Sequence, residues 1–382
     1  MKILFIATAN PFVRSGGGIA NYAYFKAISA IYPNQVDLAL PFEEVPNNND
    51  NNYVAIRTRT KFEKCMGIFK GSIHRYKDAV SEILSSQKYD LCIINGGHYA
   101  GDMVDMLHKN GCKVMVFNHN FEREFQTTAY PNPLMRYYYV VNTIRNEKNS
   151  YKKADVNCFI TEEDLQLFKS AYGDTCSSCH VVGVFEPSFE TIVDYQNKNK
   201  TFTVVISGSV NADQTVDGIR DFHDNYWDIL KAVVPDYKLI FTGRNADRLY
   251  SIFPDFKDEH IEIIPNPDDI NEIVSRAHLY ICPINVGGGL KLRVMDGLKM
   301  GLPVLTHKVS ARGYEPFVGK DYFAVYDDKE SFEKGLERMI QAVNNGIEDR
   351  HVKADYQNVF GAQSGIDRFK ALFEVLKLKH IL

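Results

Sequence analysis

The sequence predicts an α/β protein of two doubly wound, Rossmann-like domains, and three observations predict it. The chain has 382 residues, enough for about two domains at roughly 100 to 200 residues each. Short apolar, β-branched runs alternate with longer segments of helical period, the signature of βαβ units and parallel sheets. That alternation runs twice, and the polar, aperiodic stretch Glu186 to Lys200 separates the two series as a linker would.

The first series sets strands at 2–7, 36–40, 53–57, 90–94, 113–118, 156–161 and 180–184 among helices near 18–32, 70–86, 100–109, 133–152 and 162–171. Its opening run, Met1-Lys-Ile-Leu-Phe-Ile-Ala-Thr8, is shorter than a signal segment and has no cleavage site after it, so it reads as a strand. The Asn-rich tract 46–52 is a polar loop. The second series sets strands at 201–207, 237–242, 260–264, 278–282, 303–306 and 322–326 among helices near 215–233, 266–276, 290–300 and 329–344. Near the end, Ile366, Phe369, Leu372, Phe373 and Leu376 form one helical stripe that needs a partner surface. The expected division is therefore 1–190, 200–360 and a terminal helix within 361–382. No run approaches the ~20 apolar residues of a membrane span.

Hydrophobic residues make up 45% and charged residues 24%, which excludes a mostly disordered or fibrous chain. The formal charge of −4 gives no global basic field, so nucleic acid is not an expected partner. The charge is uneven: residues 1–150 carry 17 basic and 13 acidic side chains, leaving 27 and 35 for the rest. The first domain is thus the one suited to an anionic membrane surface or a phosphorylated acceptor. Seven cysteines, at 65, 92, 112, 158, 176, 179 and 282, read as reduced thiols of a cytosolic protein. Cys176-Ser-Ser-Cys179 with His180 lacks the second ligand pair of a four-ligand zinc site, and no metal is expected there.

Three segments carry candidate chemistry. Gly16, Gly17 and Gly18 open a helix after the first strand, where backbone N–H groups can face a phosphate or a sugar. The dinucleotide fingerprint is incomplete, since Asn21 stands where its third glycine belongs, and neither a nicotinamide nor a flavin cofactor is expected. Asn95-Gly-Gly-His98 and Phe117-Asn-His-Asn-Phe-Glu122 follow successive strands, so His98 and His119 lie at carboxyl ends, where open α/β sheets bind ligands. The strongest signal is Pro283-Ile-Asn-Val-Gly-Gly-Gly-Leu-Lys-Leu-Arg-Val-Met-Asp296, a strand end, a glycine loop and a helix. N–H groups of Gly287, Gly288, Gly289 and Leu290 can hold phosphate oxygens, and Lys291 and Arg293 in the first turn add cationic donors. Cations there oppose the helix dipole unless an anion answers them, which points to a bound diphosphate. Asp296 is an acceptor suited to ribose hydroxyls.

This segment resembles the nucleotide-sugar site of retaining glycosyltransferases of the GT-B fold, in the large family that also contains sucrose and mannosyl transferases (glycosyl transferases group 1). Further matches come in the family's order: Gly16 to Gly18, His119-Asn-Phe-Glu122, Ile206-Ser-Gly-Ser209, Val216-Asp-Gly-Ile-Arg-Asp-Phe222, Leu239-Ile-Phe-Thr-Gly-Arg244 and Lys308-Val-Ser-Ala-Arg-Gly313. The resemblance implies two Rossmann-like domains facing across a cleft, an acceptor domain at 1–190, a donor domain at 200–360 and a last helix crossing back to the first domain. It implies that His119 faces the donor sugar, that Lys291 and Arg293 neutralise the leaving diphosphate, and that Asp296 contacts ribose. Ile264-Pro265 would meet the base through the backbone.

The chain departs from the family at the first member of a Glu-x7-Glu pair, where Gly288 stands. The turn Ser207-Gly208 also lacks the nearby Arg and Lys of many relatives, which puts weight on Lys291, Arg293 and Arg244. His98 and Glu122 complete the candidate set. The activity implied is retaining, metal-independent transfer of a sugar from a nucleoside diphosphate, with no separate cofactor, to a glycan or lipid-linked acceptor in surface polysaccharide synthesis. The implied place is the cytoplasm, against the inner membrane face. The alternatives are a non-catalytic nucleotide-sugar-binding protein and a nucleotide-sugar epimerase, for which Glu122 and Glu124 are the available carboxylates.

Overall fold

The computed structural model describes residues 1–8, 10–12, 16–41, 53–56, 60, 62–63, 66, 76–123, 133–174, 178–189, 198–346 and 349–382. The chain divides into two compact units, Met1–Phe189 with Phe360–Leu382, and Glu190–Val359.

The first unit runs β1 (Ile3–Ala7), α1 (Gly16–Ile31), β2 (Val36–Pro41), β3 (Tyr53–Ile56), α2 (Tyr76–Ser86), β4 (Leu91–Asn95), α3 (Gly97–Ala100), α4 (Val104–Lys109), β5 (Lys113–Asn118), α5 (Pro133–Lys153), β6 (Val156–Phe159), α6 (Glu162–Tyr172) and β7 (Cys179–Val181). Its described strands form one parallel sheet in the order β3-β2-β1-β4-β5-β6-β7. Both β1 and β4 are buried along their whole length, as strands covered on two faces must be, and this is why they read as unbroken apolar runs. Strand order reverses between β1 and β4, which places a switch-point crevice beyond Ala7 and Asn95.

The second unit runs β8 (Phe202–Ser207), α7 (Asp213–Asn225), α8 (Trp227–Val233), β9 (Tyr237–Gly243), α9 (Leu249–Ile252), β10 (Ile261–Pro265), α10 (Ile270–Ser275), β11 (Leu279–Cys282), α11 (Leu292–Lys299), β12 (Val304–His307), β13 (Phe323–Tyr326), α12 (Lys329–Asn344) and most of α13 (Asp349–Phe360). Its parallel sheet has the order β10-β9-β8-β11-β12-β13, so its switch point lies between β8 and β11, beyond Ser207 and Cys282.

The last helix, α14 (Ala362–Leu378), lies in the first unit. Its apolar stripe packs on α1: Phe369 meets Tyr24 at 5.7 Å between ring centroids, and Phe373 meets Tyr32 at 5.1 Å. Arg368 donates to the carbonyls of Val182 and Val184, at 2.7 and 3.4 Å.

Some expected elements differ. The helix near 215–233 is two helices, broken at Tyr226 (φ −123°), whose buried ring packs 4.8 Å from Phe332 and 5.0 Å from Tyr326. The stretch near 100–109 is likewise divided, into α3 and α4, and Gly101 between them lies against the backbone of Asn146 on α5. Cys92, Cys112, Cys158 and Cys282 are buried free thiols, whereas Cys179 is disulfide-bonded, which corrects the expectation that every cysteine is reduced. Its partner lies outside the described residues, as do Cys65 and Cys176. Cys179 sits half-buried on the edge strand β7, where a thiol is open to oxidation.

Candidate functional site

In the second unit, the glycine loop, Lys291, Arg293 and the Ser207-Gly208 turn lie at the switch point, whereas Arg244 follows β9 and Ile264 is on the edge strand β10. Gly287 and Gly289 have positive φ, 86° and 69°, while Gly288 does not. Such alternation turns successive N–H groups into one concavity that suits an anion. Among the described residues, the N–H groups of Gly287, Gly288, Gly289 and Leu290 have no hydrogen-bond partner within the chain.

Helix α11 begins at Leu292, two residues later than the expected 290, so Lys291 is its N-cap in extended conformation and not part of its first turn. The reason is local. Tyr314, fully buried, donates its hydroxyl to the Lys291 carbonyl at 2.7 Å, and Lys291 Nζ folds back to donate to the Gly288 carbonyl at 2.8 Å. Lys291 is buried, and its ammonium folds back onto the glycine loop. Neither the N-cap side chain nor a first-turn carboxylate answers the helix dipole.

Arg293 donates from Nη1 to the carbonyl of Ser207 at 2.8 Å, and a side chain at Gly208 would coincide with its guanidinium. The Ser207-Gly208 turn is thus small because Arg293 occupies its space. Two sequence-predicted features, one after β8 and one on α11, are in this way a single structure. Ser207 Oγ pairs with the Tyr280 hydroxyl at 2.5 Å. Asp296 is close enough to Tyr280 and Tyr314 to add to the upward push that burial gives both phenols. Arg244 is exposed after β9. Ile264 lies half-buried on β10, the edge strand, and its carbonyl accepts Thr242 Oγ1 at 2.9 Å.

Sequence reasoning missed two more groups here. The side-chain oxygens of Thr215 and Asn285 are buried without a hydrogen-bond partner. Asn285 lies in the loop after β11, and the Thr215 methyl borders Gly208. Buried polar atoms left without partners are rare, and ligand-binding surfaces are one place where they persist.

In the first unit, Gly16, Gly17 and Gly18 form the first turn of α1. His98 is in α3, directly after β4, and His119 follows β5. His119 Nε2 pairs with Asn95 Oδ1, and with that oxygen accepting, the ring donates from Nε2 and keeps Nδ1 as an acceptor. Burial pushes the His98 and His119 imidazoles down to about 4, and for His119 the neighbouring His98 lowers it further. Both rings are neutral at ordinary pH. Glu122 faces His98 with Oε1 3.9 Å from Nδ1, while Glu124 lies outside the described residues.

A buried polar layer beneath these residues was not foreseen. Helix α5 buries Asn142, Thr143, Asn146, Glu147 and Ser150, Asn95 and Asn118 are buried at the ends of β4 and β5, and Asn157 is buried on β6. A side chain at Gly97 would meet the Asn118 amide. Asn95 Nδ2 and Asn118 Oδ1 have no partner. His180 pairs with Ser178 at 2.7 Å, and Cys179, oxidised, is no thiolate ligand.

Residues 201–342 match the model of the glycosyl transferases group 1 family. Among solved structures, sucrose-phosphate synthase from Thermosynechococcus elongatus is similar over 99% of this chain and 100% of its own, at 11% identity and a TM-score of 0.70. HepE from Anabaena, in complex with UDP, is similar over 98% of this chain and 100% of its own, at 12% identity and a TM-score of 0.65. The α,α-trehalose 6-phosphate synthase from Burkholderia multivorans is similar over 100% of this chain and 96% of its own, at 11% identity and a TM-score of 0.62. At such identities the likeness is one of fold, and the two parallel sheets are those of the expected GT-B architecture. No curated protein sequence matches the chain.

Proposed function

We propose that the chain moves a sugar from a nucleoside diphosphate to an acceptor hydroxyl with retention at the anomeric carbon, a reading supported by the match of residues 201–342 to the glycosyl transferases group 1 model. The observation that carries this is the glycine concavity at the β8/β11 switch point, with Lys291 across it and Arg293 behind it. Cleaving a glycosyl–phosphate bond builds negative charge on the diphosphate. N–H groups and cations already fixed in place stabilise that charge without reorganising, and they do the work a divalent metal does elsewhere. Asp296 takes ribose, the backbone at Ile264 takes the base, and Arg244 is a further cation for the phosphates. The UDP in the HepE complex makes uridine diphosphate the first nucleotide to test.

On the first unit, neutral His119 serves the sugar as a hydrogen-bonding group. The leaving phosphate takes the acceptor proton on the same face, so no enzyme nucleophile is needed. Gly288 in place of a carboxylate favours a second reading, a binding protein without turnover. Turnover decides: a transferase slowly hydrolyses its donor when no acceptor is present, an epimerase rearranges it, and a binding protein leaves it intact.

We further propose a lipid-linked or glycan acceptor met at an anionic membrane surface. Among the described residues no helix is long and apolar enough to cross a membrane. On α5, however, Leu134, Tyr137, Val141, Arg145, Lys148 and Lys152 are all exposed, and at 3.6 residues per turn they form one straight stripe, apolar at one end and basic at the other. Such a face suits an anionic interface. Replacing Arg145, Lys148 and Lys152 by Gln should weaken binding to phosphatidylglycerol vesicles on the order of a hundredfold, at about 1 kcal/mol per basic residue. Equal co-sedimentation of the triple variant would remove this surface from the proposal.

A further inference from the structure

We propose that Glu147 is a positioning residue that holds the His119–Glu122 loop in place, an inference that rests on the transferase function given to that loop. Glu147 is fully buried in the middle of α5. Its Oε1 accepts the backbone N–H of Glu122 at 2.9 Å, and its Oε2 accepts the hydroxyl of Tyr172 from α6 at 2.7 Å. One carboxyl group therefore ties the end of the loop to two helices.

The loop is also held by its ring. Phe121 packs 5.3 Å from Phe168 and 5.9 Å from Tyr172, the same tyrosine that bonds Glu147. Between this anchor and the end of β5 lie only His119 and Asn120. Fixing Phe121 and Glu122 thus fixes His119 against Asn95 and the Glu122 carboxyl opposite His98.

A buried carboxylate with a neutral hydroxyl partner costs desolvation, and a position that served only packing would be filled by an apolar side chain. Burial pushes the Glu147 carboxyl up to about 7, and the charge of Glu122 adds to the rise. Its anchoring does not depend on ionisation. In a neutral carboxyl or an amide, one oxygen still accepts from the loop while the other group donates to the Tyr172 oxygen, since a phenol can accept as well as donate.

The conservative variant therefore separates positioning from mere stability. In Glu147→Gln the loop stays anchored. Glu147→Ala removes both bonds, and Glu147→Asp, one methylene shorter, cannot span loop and tyrosine together. The measurement is an NMR titration of the His98 and His119 rings in the full chain, with donor turnover and UDP calorimetry on the same samples.

In the wild type and Glu147→Gln, both rings should titrate near pH 4. In Glu147→Asp, and in Glu147→Ala if it folds, they should move up toward the ordinary 6.5 as water reaches them. Turnover should fall about tenfold or more from misplacement, with UDP affinity within about twofold of wild type. A lowered melting temperature with unmoved histidine titrations would overturn the proposal, as would Glu147→Gln behaving like Glu147→Asp. The titration needs no turnover, so a wild type that cleaves no donor refutes the transferase reading while the positioning test still stands.

Discussion

Replacing Arg293 by alanine should lower the affinity for a nucleoside diphosphate by about 1 to 3 kcal/mol, about 5- to 150-fold, the scale of a lost charge-assisted contact. Arg293 is held by the Ser207 carbonyl, and the empty side-chain position of Gly208 leaves room for its guanidinium. The charge is therefore in place before a ligand arrives, and its removal costs binding without a compensating gain in order. The same change takes a pin out of the β8–α11 junction, so a lowered melting temperature should accompany the lost affinity. Lys291→Met is the companion variant. It keeps the packing of the stem but loses the ammonium that bridges to Gly288, and its affinity should fall within the same range. Calorimetry checks both, and unchanged affinity in the two variants would move the phosphate site elsewhere.

His119→Ala should leave diphosphate affinity nearly intact and lower transfer on the order of a hundredfold, as loss of one fixed hydrogen-bonding group from a reacting centre does. Nucleotide binding is spared because His119 belongs to the first unit and the phosphate-binding groups to the second. The pH dependence has a definite sign. With its pKa lowered by burial to about 4, His119 is already neutral at pH 6. Transfer should show no loss attributable to this ring between pH 8 and about 5, and should lose activity only as pH falls through about 4. A limb near 6.5 that vanishes in His119→Ala would mean that the ring is solvated. Equal activity in wild type and variant would assign it to loop structure alone.

The parallel sheets were legible because burial on both faces leaves no polar alternation. Ile3-Leu-Phe-Ile-Ala7 and Leu91-Cys-Ile-Ile-Asn95 could hardly be anything but central strands. The glycine loop after β11 stood out in the sequence for the opposite reason, since cations at a helix start break an electrostatic rule that helices otherwise keep. Helix α5 was placed from the sequence at 133–152, but its buried face was not, because its pattern is inverted: Leu134, Tyr137 and Val141 are exposed while Asn142, Asn146, Glu147 and Ser150 are buried. Polar residues at helical spacing look alike on a wet face and on a face that lies beneath a loop. The partner of Glu147 is a backbone N–H twenty-five residues away, which no local pattern encodes. Lys291 as an N-cap and the break at Tyr226 were hidden in the same way, set by Tyr314 and by Phe332 with Tyr326.

The most direct test of the central claim is NMR of the wild-type chain with UDP-, GDP- and ADP-sugars, with a metal chelator and no acceptor. Retaining, metal-independent transfer predicts that one of these donors slowly yields the nucleoside diphosphate and a free sugar that appears first in the donor's own anomeric configuration. Intact donors throughout, rearrangement without release of diphosphate, or first appearance of the opposite anomer would contradict it.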